Sequence, residues 1–140
     1  MILYAESSAV LAWLLGERDG VKARELLAQA KAVFASRLVI AEVERALVRL
    51  EAGSELQRAD AVIRRQALAR ASGHWLRFTI DDAVLRRVGQ PFPVEPVRTL
   101  DAIHLATLLE VVSHEPRVSL LSFDRRIRDN ATRLGVAVMP

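Results

Sequence analysis

Short apolar runs alternate along this chain with longer stretches whose apolar positions recur every three or four residues. The first run, Ile2 to Ala5, predicts a buried strand, and Ser7 or Ser8 is placed to cap a helix from Ala9 to Leu15 that stops at Gly16. Val21, Leu26, Leu27 and Ala30 then fall at helical spacing. Val33 to Ala35 leans towards strand. Ser36 opens a strong helix over residues 36–50, with Leu38, Ala41, Ala46 or Val43, Leu47 and Leu50 as its apolar stripe. A further helix is expected from Ser54 to Ala71, with Leu56, Ala59, Ile63, Ala67 and Leu68 inward and Arg64 and Arg65 outward.

Trp75 to Ile80 alternates as a strand does, and Asp81 or Asp82 starts a short helix ending at Val88. Residues 89–98 hold Pro91, Pro93 and Pro96, so an irregular loop is expected there. Thr99 caps the next helix, Val118 to Ser122 reads as a buried strand, and Asp124 to Leu134 forms a helix closed by Gly135. Val136 to Met139 makes a last strand. This alternation predicts an α/β protein, a three-layer α/β/α sandwich around a mainly parallel sheet of about five strands. With 140 residues and no linker, repeat or low-complexity tract, residues 1–140 read as one domain.

Composition narrows the chemistry. The chain has no cysteine, which removes disulfide scaffolds and thiolate metal sites. No apolar run approaches the ~20 residues needed to span a bilayer, and the first residues lack the basic segment of a leader. A cytoplasmic location is the expectation. Arginine supplies 18 of the 20 basic residues, the exceptions being Lys22 and Lys31. Its planar fork suits phosphate, although a formal charge of +3 is only mildly basic and a GC-rich coding bias gives the same count.

Four acids stand where an apolar strand stops or a helix starts: Glu6, Glu42, Asp101 and Asp124. In a parallel sheet, sites form beyond the carboxyl ends of the strands. Glu6 and Asp124 follow strands, whereas Glu42 and Asp101 lie within two turns of helix N-termini, where the dipole favours negative charge. If the four meet, each close pair repels by ~4 kcal/mol at an effective dielectric of 20. A cation in their midst would relieve that. Each acid also has a plainer reading: Asp124 as a helix cap, Asp101 as a first-turn dipole residue, Glu6 as a strand-end carboxylate facing water. Glu42 is flanked by Ile40, Ala41 and Val43 and is harder to place in solvent, whereas Glu44 reads as part of a solvated face. His104, one turn beyond Asp101, invites a metal or general-base role, but beside Ile103 and Leu105 it reads rather as a packed histidine. Arg125, Arg126 and Arg128 either guide a polyanion or form a solvated helix face, and Asp129 is a candidate outer acid.

The segments ILYAESSAVLAWLL, SRLVIAEVERALVRL, RTLDAIHLAT and LLSFDRRIRDNATRLG resemble, in order and spacing, the successive motifs of PIN domains. More narrowly they resemble the VapC-type toxins of bacterial type II toxin–antitoxin pairs. The resemblance runs from residue 2 to about residue 138. It implies a metal-dependent ribonuclease, with Mg²⁺ or Mn²⁺ held by Glu6, Glu42, Asp101 and Asp124 as the catalytic set, and a second metal recruited with the scissile phosphate. Ser8 corresponds to the polar residue that orients the first acid. The chain departs from the family at Glu6, where an aspartate is usual, and the extra methylene moves the carboxylate by ~1.5 Å. Ser122-Phe123-Asp124 stands where the family has threonine first. By the same resemblance the partners are RNA, a cognate antitoxin protein and a second copy of the chain. The alternative is a PIN-fold module weakened by Glu6 that binds antitoxin or RNA without cutting.

Overall fold

A computed structural model describes residues 1–140. Strands β1 (Ile2–Ala5), β2 (Ala32–Ser36), β3 (Leu76–Phe78), β4 (Val118–Leu121) and β5 (Ala137–Met139) form one sheet in the order β3-β2-β1-β4-β5. Every neighbouring pair is parallel. The connections are helical: α1 (Ser7–Leu15), α2 (Gly20–Gln29), α3 (Leu38–Ala52), α4 (Arg58–Ser72), α5 (Asp82–Val88), α6 (Thr99–His114) and α7 (Arg125–Arg133). The chain steps outward from β1 to β3, then returns to lay β4 on the other side of β1. The strand order therefore reverses between β1 and β4, and a crevice forms at that point.

Burial follows the pleat. Leu3, Tyr4 and Ala5 are each fully buried, because β1 is central and covered on both faces. Tyr4 joins Leu105, Leu108, Leu120 and Ile127 in the cluster beneath α5, α6 and α7. Ala5 packs with Val10, Val39, Val43 and Leu47 under α1, α3 and α4, and Leu3 with Ala9, Ala23 and Leu26 under α1 and α2. Burying a leucine of this kind contributes roughly 1.5–3 kcal/mol. Gly20 lets α2 close on α1: a Cβ there would stand 2.0 Å from the Ala12 carbonyl oxygen. That contact fixes α1, whose first turn carries the serines of the site. No helix is long and apolar enough to cross a membrane.

Several details differ from the sequence reading: Ser36 ends β2, so that α3 starts at Leu38, Thr99 is the first residue of α6 with Arg98 at the cap position, and Ala59 is exposed. The cap of α1 is Glu6, not a serine, since its carboxylate accepts from the Ser8 amide. On α3 the buried positions are Val39, Val43, Ala46 and Leu47, whereas Ala41 is exposed. Helix α4 begins at Arg58, after a turn, and turns Ile63 outward, 59% exposed. Arg65 is not simply solvated: it donates to Glu44 at 2.8 Å and Glu51 at 2.9 Å, tying α4 to α3. The proline-bearing stretch before α6 is irregular as expected, and Asn130 holds it by donating to the Val94 carbonyl and accepting from the Val94 amide.

Candidate metal centre

The carboxyl end of the sheet gathers all four acids around β1 and β4. Glu6 follows β1 directly and its amide donates to the Leu121 carbonyl at 3.0 Å, which ties the ends of the two strands together. Asp124 follows β4 and caps α7, accepting from the Ile127 amide at 3.0 Å. Asp101 lies in the first turn of α6 and Glu42 in the second turn of α3.

Glu6 is 3% exposed and its carboxylate is enclosed by hydroxyls. Oε1 accepts from Ser7 Oγ at 2.6 Å and from the Ser8 amide at 3.1 Å. Oε2 accepts from Ser8 Oγ at 2.5 Å and Ser122 Oγ at 2.7 Å. Ser8 thus orients the first acid as the resemblance implies, and Ser7 and Ser122 join it. The buried charge is tolerated because every oxygen is hydrogen-bonded.

Asp101 is the opposite case. Its Oδ2 is buried and has no hydrogen-bond partner. Arg98 Nε stands 3.5 Å from that oxygen, an ion contact without hydrogen-bond alignment from a side chain that is 77% exposed. Desolvation, with the charge of Asp124 next and that of Glu6 adding to it, pushes the Asp101 carboxyl above its ordinary value, and Arg98 offsets part of the rise. An under-coordinated, mutually repelling acid of this kind matches a hard cation with oxygen ligands.

Glu42 is held by His104, which is packed as its apolar neighbours suggest and is also a polar partner of the site. His104 is 1% exposed, and its Nε2 lies 2.5 Å from Glu42 Oε2 and 4.0 Å from Glu6 Oε1. Its Nδ1 lies 3.3 Å from the Tyr4 hydroxyl. Burial, and then the Glu6 charge, raise the Tyr4 phenol far above its ordinary value, so it stays protonated. Facing a carboxylate, Nε2 is the donor and Glu42 accepts, while Nδ1 meets the Tyr4 hydroxyl on the other side of the ring. The three-residue spacing from Asp101 puts His104 on the same side of α6, and that spacing was the available signal.

Mg²⁺ and Mn²⁺ fit this donor set chemically, since it is all oxygen and Asp101 offers an unsatisfied one. No three acidic or histidine side chains already stand in a common ligating geometry; serines donate to Glu6, and His104 pairs with Glu42. Asp129 points away: it is exposed and lies 3.9 Å from Arg125. Arg128 is structural, donating to the carbonyls of Ser122 and Met139 and to the chain end at Pro140.

The PIN-domain family profile matches residues 3–133. Ribonuclease VapC46 of Mycobacterium tuberculosis is 36% identical over 137 residues, which cover 98% of this chain and 95% of that protein. Among solved structures, the sarcin–ricin-loop-cleaving toxin VapC20 of M. tuberculosis superposes with a TM-score of 0.65 at 15% identity, covering 91% of this chain and 93% of that one. VapBC2 of Rickettsia felis, solved with a DNA fragment from its promoter, superposes at 0.62 with 9% identity, covering 99% and 98%. The parallel five-stranded sheet, the order of the motifs and a near full-length relative agree: the chain belongs to the PIN-domain family, in its VapC-type branch.

Proposed function

We propose that this protein is a divalent-metal-dependent endoribonuclease, the toxin of a type II toxin–antitoxin pair. The observation that carries the proposal is the buried, unpartnered Oδ2 of Asp101 beside the charges of Asp124 and Glu6. A full-length relative named as a ribonuclease supports the reaction class. Asp101, Asp124 and Glu42 are the groups that would hold Mg²⁺ or Mn²⁺, and Glu6 adds its negative charge to the same mouth. When bound, such an ion polarises a phosphodiester oxygen and supplies hydroxide for in-line attack.

The chain's own residues do the rest. Asp124 and Asp101 present oxygens from helix N-termini, positions that the backbone fixes and the dipole favours. His104 holds Glu42 by one carboxylate oxygen and leaves the other without a protein partner. A cleft of about 410 Å³ adjoins Glu42, walled by Leu11, Leu38, Ala46 and Leu100 and flanked by Arg45 and Arg49. Those two arginines suit the phosphates of an RNA strand entering along α3. An antitoxin segment would lie across the same cleft and present a cation to the acids, in place of the metal's charge. Exposed Val62 and Ile63 on α4 and Val21 on α2 are suited to a homodimer contact.

The test is cleavage of labelled RNA by the purified chain with Mn²⁺, with Mg²⁺ and with EDTA, alongside Asp101→Asn. Cleavage that needs the metal and is lost in the variant is expected. Metal-independent cleavage, or an Asp101→Asn protein of natural rate, would refute the proposal. Metal binding without cleavage of any RNA would instead favour the binding module.

A further inference from the structure

Resting on that reading, we infer that Glu6 is a positioning residue for Asp124, acting through the hydroxyls of Ser8 and Ser122, and is not itself one of the metal's ligands. An ionised carboxylate offers about four acceptor positions. Those of Glu6 are filled by Ser7 Oγ, the Ser8 amide, Ser8 Oγ and Ser122 Oγ. A metal would have to displace one of these donors from a side chain that is 3% exposed.

The direction of the hydroxyls matters more than their number. Each serine has a single hydroxyl proton, and both Ser8 and Ser122 give theirs to Glu6 Oε2. Their lone pairs then face the backbone of the next segment. Ser8 Oγ accepts from the Phe123 amide at 2.9 Å and the Asp124 amide at 3.2 Å, and Ser122 Oγ accepts from the Asp124 amide at 3.1 Å. Glu6 therefore sets the polarity of a relay that ends on the backbone of Asp124, the residue that caps α7. The longer side chain at position 6 is what reaches both serines at once, whereas an aspartate would end ~1.5 Å sooner.

Methionine removes the relay's acceptor. It has nearly the length of glutamate but no oxygen, so the protons of Ser8 and Ser122 are no longer drawn to position 6 and their lone pairs are no longer held towards the Phe123 and Asp124 amides. In metal-free protein, Glu6→Met should speed hydrogen exchange at the Phe123 and Asp124 amides by about 10-fold or more, with the Val10 amide unchanged. Exchange at natural rates would overturn the inference.

Calorimetric Mn²⁺ titration separates the remaining roles. Ser8→Ala and Ser122→Ala should each weaken Mn²⁺ binding, within the ~10–100-fold range of outer-shell changes. Ser122→Thr, which keeps the hydroxyl, should restore it, and adding Glu6→Met to Ser8→Ala should cost less than the product of the two single effects. Serine variants that bind Mn²⁺ more tightly would mean that the hydroxyls compete with a metal for Glu6, and the inference would fail. Lower melting temperatures with unchanged Mn²⁺ affinity would also overturn it, by reducing the network to a structural cap. A natural chain that binds no Mn²⁺, yet shows the exchange effect, would refute the metal reading while upholding the relay.

Discussion

Glu6 and Asp101 are acids of one crevice in opposite states. Glu6 is almost fully buried, yet three hydroxyls and an amide satisfy its carboxylate. Asp101 keeps an oxygen that is buried and hydrogen-bonded to nothing. The first arrangement builds structure, because the charge joins the ends of β1 and β4 to the start of α7. The second leaves an electrostatic debt in the folded protein. Burial alone therefore does not separate a scaffold acid from a ligand acid; the state of its oxygens does.

The largest effect should come from the Asp101 side of that contrast. Asp101→Asn and Asp124→Asn should each reduce Mn²⁺-dependent RNA cleavage by more than the ~10–100-fold typical of outer groups, with folding retained, as read in a single-turnover assay. A smaller loss for Asp101 than for Ser8→Ala would invert the comparison.

His104→Ala should follow, and in stability rather than in rate alone. It opens a cavity beside Tyr4 and removes a partner from Glu42, so a loss of about 2–3 kcal/mol is expected in urea unfolding. A loss under ~0.5 kcal/mol would show that the buried Tyr4–His104–Glu42 chain supports little.

The next effect has the opposite sign. The Asp101 carboxyl is raised in the folded state, so in the window above its ordinary value the native protein binds more protons than the unfolded chain. Ionised Asp101 therefore lowers stability at neutral pH, and the penalty disappears as pH falls through the raised value. In EDTA at pH 7, Asp101→Asn should melt higher, by a gain that solvent screening keeps below about 1 kcal/mol, and the gain should vanish near pH 3. A lower melting temperature at pH 7 would mean that Arg98 satisfies the acid after all.

The smallest effect belongs to Asp129. Its exposed side chain faces Arg125, so Asp129→Asn should change cleavage by less than about 2-fold.

Much of this architecture was legible in the chain. Apolar runs marked the strands because a sheet covered on both faces buries consecutive residues, as at Leu3, Tyr4 and Ala5. The four acids were visible by their places after strands and near helix starts. What escaped were relations across the sequence. Ser122 meets Glu6 from 116 residues away, and His104 meets Glu42 from 62 away. No local pattern encodes either contact. Serine is the commoner cap, so the sequence points to Ser7 or Ser8 for α1, whereas Glu6 is the strand-end residue whose side chain reaches the Ser8 amide. The slip from Ala41 to Val39 on α3 has a similar cause: alanine fits either face of a helix, so periodicity alone could not orient it.

The central claim is that Asp101's unsatisfied oxygen marks where a hard cation binds. Calorimetric titration of Mn²⁺ into the metal-free natural protein and into Asp101→Asn, side by side at pH 7, tests it most directly. Saturable binding is expected in the natural protein, and its loss in the variant. Equal binding by both proteins, or none by the natural one, would contradict it.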